Sequence, residues 1–219
     1  TYASDPFSEE SHWFGAPLTT PLMSNLIENE TFRQQFALTF MDMANKNFAY
    51  GDVHGKLYEM AALYAAPMEK SYHRFNDGIY TQDTFWENIG VIDEFYEKRA
   101  DYVVPDFADA LGLSGETGEV ILQISNMTNA SEMTGVSEMK DTGASGGTIR
   151  LNTITPDLKG GEWRGTYFTD YSVTATAVPA EGYRFAGWQG TYESGEKTIE
   201  AAVTEEGICL RAVFVPEEP

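Results

Sequence analysis

Cysteine is almost absent from this 219-residue chain: Cys209 stands alone, so neither an internal disulfide nor a cysteine-built zinc site can form. Basic residues are scarce as well. Fourteen lysines and arginines face 34 carboxylates, for a net charge of −20. A surface of that sign repels phosphate backbones and anionic lipid, and no basic cluster larger than Lys98-Arg99 offsets it. Nucleic acid is therefore not an expected partner. No apolar run approaches the ~20 residues that a membrane-spanning helix requires. Glycine-rich phosphate loops, Gly-x-Ser-x-Gly elbows and His-Glu-x-x-His zinc spacings are also missing. The chain opens on Thr1-Tyr2-Ala3, with no initiator Met and no charged leader, and is expected to be a processed product or an excised fragment.

What is present is the composition of a globular protein, 42% hydrophobic and 13% aromatic. Up to about Leu113 the apolar period is helical. Asn29 is placed as an N-cap ahead of a helix whose face carries Phe32, Phe36, Phe40, Met43 and Phe48. A second helix carries Val53, Leu57, Met60, Ala61 and Tyr64, and Pro67 is expected to kink or end it. Asn76-Asp77-Gly78 marks a turn. A third helix starts near Thr81 and buries Phe85, Ile89, Ile92 and Tyr96. Arg99 to Leu111 continue or restart it, with Tyr102, Val103 and Phe107 inward, and Gly112 supplies the stop. After Gly115 the period shortens to two, in Val120-Leu122-Ile124, Ile149-Leu151 and Val173-Ala175-Ala177. The expected fold class is α+β, with a helical subdomain over residues 1–113 and a small all-β module over 114–219. A long loop near 126–147 interrupts the second part.

Candidate chemistry is thin. Asp141-Thr142-Gly143-Ala144 matches the tetrapeptide of retroviral-type aspartic proteases, but no apolar strand precedes it and no second copy exists. Asp5, Glu9, Glu10 and His12 could meet at a cation, or be a solvated start to the chain. His54 and His73 are isolated in sequence. Cys209 reads as a buried thiol in a strand. Trp163, Tyr167 and Trp188 head an aromatic set with two readings. Exposed on one sheet face, they would stack on sugars; packed inward, they form the core of a small β-domain.

Several segments, in order, resemble one family. Asn29-Glu30-Thr31-Phe32-Arg33-Gln34-Gln35-Phe36, continuing to Asn47-Phe48, is similar to the "N-x-x-F-R-x-x-F … N-x-x-F" helix of spore-coat protein H (CotH) kinase-like proteins. Ala66-Pro67-Met68-Glu69 with His73-Arg74 resembles that family's "I-x-P-E-M" and "R-H" segment. Phe85-Trp86 and Phe95-Tyr96-Glu97-Lys98-Arg99-Ala100-Asp101-Tyr102-Val103 are similar to its "L-x-x-F-x-x-x-R-P-x-Y-V" helix, with Ala100 where proline is common and Gly90 inside the helix. Gly147 to Asn152, Trp163 to Phe168 and Gly182-Tyr183-Arg184-Phe185-Ala186-Gly187-Trp188 resemble a following β-module akin to divergent internalin-type bacterial repeats.

The resemblance implies the carboxyl-terminal part of an atypical, ATP- and metal-dependent protein kinase. The helices would be a piece of its C-lobe-like subdomain. In that family the phosphate-binding lysine and metal-binding aspartates lie upstream of the helices matched here. No catalytic, cofactor-binding or metal residue is carried over, and the chain alone is expected to be inactive. ATP and divalent metal are implied only for the full-length family. The implied partner is the upstream kinase-like region, with a coat or cell-surface protein or a polysaccharide as further candidates. The implied location is the bacterial cell surface or spore coat. The alternative is an extracellular binding module that uses Trp163, Tyr167 and Trp188.

Overall fold

A computed structural model describes residues 1–8, 20–75, 81–126 and 146–217. The Asn76 turn, Glu9, Glu10, His12 and the Asp141 tetrapeptide all lie outside the described residues. The architecture is α+β, with helices preceding strands. The chain forms two compact units, Thr1–Asn29 with Met43–Gly112, and Glu30–Asp42 with Leu113–Pro219.

In the first unit, α1 (Pro21–Glu28) is capped by the Thr20 hydroxyl, which accepts from the Met23 amide, and has proline in its first turn, where no amide partner is lost. Two long helices dominate, α3 (Tyr50–Phe75) and α4 (Gln82–Leu111). Thr81 and Thr84 make a reciprocal capping box at the start of α4, and Gly112, with φ +64°, ends it in the left-handed conformation. Tyr50 and His54 meet Asp93, and Tyr58 stacks on Trp86, so the two helices run antiparallel.

Pro67 does not end α3, which continues to Phe75. Its ring removes only the bond to the carbonyl of Leu63, an exposed residue where water can replace it, while buried Ala61 and Ala65 hold the helix from its other side. The predicted inward stripes also need correction. Met60, Tyr64, Ile92 and Tyr102 are exposed, and the residues sealed away are Ala61, Ala65, Phe107, Ala108 and Leu111. Along α3 the sealed residues are the small Ala61 and Ala65, and the larger Met60, Leu63 and Tyr64 beside them are exposed.

The second unit contains helix α2 (Glu30–Asp42) and seven strands: β1 (Thr117–Asn126), β2 (Gly147–Leu151), β3 (Glu162–Phe168), β4 (Val173–Pro179), β5 (Tyr183–Gly190), β6 (Thr198–Ala201) and β7 (Ile208–Pro216). One sheet has the order β3-β1-β7-β5 and the other β2-β4-β6. All pairs are antiparallel except β1 with β7, where Val120 faces Ile208. Alternating burial along β2 and β4 turns Ile149, Leu151, Val173, Ala175 and Ala177 inward, opposite Val120, Leu122, Leu210, Ala212 and Phe214 of the larger sheet. Gly147 lies so close to the Phe214 ring that an added Cβ would sit 2.6 Å from it, which marks where the sheets touch.

On α2 the buried positions are Ala37, Met41 and Asp42. Met43 and Phe48, expected on the same face, are exposed, and the α-helical period stops at Asp42, where a π-helical turn over Met43–Asn47 begins.

Candidate functional site

The three aromatic candidates occupy different settings. On β3, Trp163, Gly165 and Tyr167 share one face. The Trp163 indole lies across Gly165, whose missing side chain makes the space: a Cβ there would sit 2.3 Å from the ring. Trp163 remains half-buried, on a strand at the edge of its sheet. Tyr167 is fully buried, and its hydroxyl donates to Asp42 Oδ1 at 2.7 Å. Trp188 is 2% exposed, and its indole N–H donates to the Glu196 carbonyl at 3.0 Å. Strict alternation would put Phe185 and Trp188 on opposite faces of β5. A bulge between Phe185 and Gly187 adds a residue and brings the rings together at 5.6 Å. Tyr167 and Trp188 thus offer no open ring face, and only Trp163 of the three is accessible.

Tyr167 leads to a concentrated polar centre among the described residues of this unit, which sequence reasoning missed. Asp42 is 0% exposed and is the buried charged residue among the described residues. Its Oδ1 accepts from Tyr167 and from Asn152 Nδ2 at 3.1 Å. Its Oδ2 accepts from the Thr153 amide at 2.9 Å and the Thr153 hydroxyl at 2.6 Å. Four donors occupy the four lone-pair positions of one carboxylate, which is how a buried acid is tolerated without a cation. Asn152 completes the frame. It turns the chain with φ +45°, and its own Oδ1 accepts from the Thr174 amide at 2.8 Å. The arrangement ties the end of α2 to the β2–β3 connection and to β3. It is saturated, and its chemistry is structural.

A second cluster joins α3 to α4 within the other unit. His54 Nδ1 lies 2.8 Å from Asp93 Oδ1, and the Tyr50 hydroxyl donates to Asp93 Oδ2 at 3.3 Å. The His54 ring sits against Tyr50 and Tyr58, with centroids at 5.3 and 4.8 Å. Burial and the neighbouring Asp93 and Glu97 carboxylates push the Tyr50 phenol up from its ordinary value. His54 and Asp93 are 39 positions apart, so no spacing motif could have announced them. Asp5, the described member of the suggested acidic cluster, accepts from the Phe7 amide at 2.8 Å. His73 is in the last turn of α3, where a cation suits the helix dipole. Cys209 lies on β7, half-buried rather than sealed, with burial raising its thiol above the ordinary value. Among the described residues, no three of His, Cys, Asp and Glu converge as a metal site would need, and no helix is long and apolar enough to cross a membrane.

Comparison with protein families matches residues 1–103 to the model described as CotH kinase protein. The chain therefore carries a CotH-like, kinase-related region. The match takes in α1, α2, α3 and most of α4 and does not reach the strands. No curated protein and no solved structure matches the chain.

Proposed function

We propose that these residues serve a CotH-like protein as a non-catalytic scaffold, with the helical unit docking the nucleotide-handling kinase-like region and the strands forming an accessory module. The observation that carries this reading is the uncovered flank of the α3–α4 hairpin, inside the family-matched part. At about 100° per residue, Met60 and Tyr64 fall on the same side of the Ala61 stripe as Ile92 does of the Ile89 stripe, and antiparallel packing brings these sides onto one face. Leu63 and Val91, 71% and 64% exposed, add apolar surface on the outer sides of the two helices. A hairpin that stood alone would carry polar residues there. Asp42 is consistent with the reading, since structural donors saturate it.

The partner is the kinase-like region of the same protein, and the setting is the bacterial surface or spore coat, the association of the CotH family. The test uses a hydrophobic-surface dye and the kinase-like region supplied as a separate polypeptide. The dye should bind the 219-residue chain, be displaced by that polypeptide, and bind poorly to a Leu63→Ser, Tyr64→Ser variant. Failure of the polypeptide to displace it, with both partners folded, overturns the docking role.

A second reading, recognition of a polysaccharide or cell-surface protein by the β-module, rests on the accessible Trp163. It predicts glycan-array binding that Trp163→Ala removes; binding unchanged in that variant, or none in the parent, defeats it.

A further inference from the structure

Residues 1–8 do not trail free. The Arg99 guanidinium on α4 donates to the carbonyls of Tyr2 and Ser4 at 2.5 and 2.8 Å, closing two backbone acceptors with one side chain. Tyr2 packs on Tyr102 with ring centroids 5.7 Å apart, and the Lys98 ammonium lies 5.0 Å from the Tyr2 ring centre. Further along, Phe7 meets Phe107 edge-on at 5.6 Å. The segment thus lies along the half of α4 running from Lys98 to Phe107. Asp106 falls on the same face of α4 as Arg99, Val103 and Phe107 at about 100° per residue, and its Oδ2 is buried with no hydrogen-bond partner among the described residues.

An orphaned carboxylate oxygen next to a seated segment is costly when charged and much less so when protonated. We propose that Thr1–Ser8 is a proton-sensitive strap, clipped to α4 by Arg99 and Phe7 and seated more tightly when the Asp106 carboxyl on that face of α4 carries a proton. Among the described residues, the charged groups acting on Asp106 are Asp5 of the strap and Asp109 of α4, both acidic, and Arg99, the opposing cation. Burial is the main influence and the two carboxylates add to it, so the Asp106 carboxyl is held above its ordinary value of 3.8 despite Arg99. A raised value in the seated state means that seating is favoured fully below the ordinary carboxyl value. The gain is lost as pH rises through the raised one. Loosening the strap would uncover the Phe107 face of α4.

Hydrogen exchange read by mass spectrometry on the full chain, corrected for intrinsic rates, tests this between about pH 4 and 8. Protection of residues 1–8 should fall by roughly threefold or more as pH rises. Asp106→Asn should remove that slope and keep protection high, and Arg99→Met should lose protection at every pH. Protection independent of pH in the parent chain, or an unchanged slope in Asp106→Asn, overturns the proposal. Should Asp106→Asn fail to fold by circular dichroism, Asp5→Asn retains the Phe7 contact and must show a reduced slope. A full slope there also overturns the proposal.

Discussion

Replacing Asp42 probes how α2 is joined to the β-unit. Asp42→Ala removes four hydrogen bonds at once and leaves the Tyr167 hydroxyl, on a residue with no exposed surface, without its acceptor. A hydrogen bond to a charged group contributes about 1.5–3 kcal/mol. Four such bonds do not sum, because the variant also escapes the cost of holding a carboxylate away from water. The net loss expected is therefore about 3–5 kcal/mol, the range for breaking a buried charged network. Asp42→Asn keeps the shape but points an amide N–H at one of the two donor pairs, and should cost about 2–4 kcal/mol. Tyr167→Phe deletes one donor and should cost less than either. Combined with Asp42→Ala, it should reveal a coupling of about 1–2 kcal/mol, as expected for two members of one network. Urea unfolding followed by the near-ultraviolet signal of buried Trp188 measures all of these in the unit concerned. A loss below about 1 kcal/mol for Asp42→Ala, or additivity with Tyr167→Phe, would refute the claim that this carboxylate organises the unit.

Asn152 separates backbone from side-chain effects: with φ +45°, Asn152→Ala should cost about 2–3 kcal/mol, and Asn152→Gly should recover only the backbone share, by the same unfolding assay. Trp188→Ala should cost about 3–5 kcal/mol through the cavity it leaves in the β-core. Acid should weaken the β-unit in part through Glu162, whose carboxyl is held below its ordinary 4.5 by Gln123 first and then by Arg164. A lowered value stabilises above the ordinary one and is lost as pH falls, so Glu162→Gln should flatten the decline in unfolding midpoint between about pH 5 and 3.

What was legible in the sequence was local. Thr81 and Gly112 mark the ends of α4 because capping chemistry acts within a few residues, and the alternation of Val173, Ala175 and Ala177 is visible because strand period and burial coincide in β4. The α+β class followed from that change of period. That the helix runs on past Pro67 was not legible, because a proline's cost depends on whether the freed carbonyl meets water, which the hairpin decides. The exposed Met60, Tyr64 and Ile92 read as core because the periodicity of an apolar flank is the same whether or not something covers it. Asp42 could not have been picked out: its partners lie 110 to 125 positions away, and only tertiary structure gathers them. The bulge in β5 is invisible to alternation for the same reason.

The proposed role, a scaffold that does not itself transfer phosphate, is tested most directly by incubating the purified chain with radiolabelled ATP and Mg²⁺ or Mn²⁺ and measuring incorporation into itself and into a generic protein substrate. The account predicts no incorporation above a heat-denatured control. Turnover that persists after repurification would contradict it.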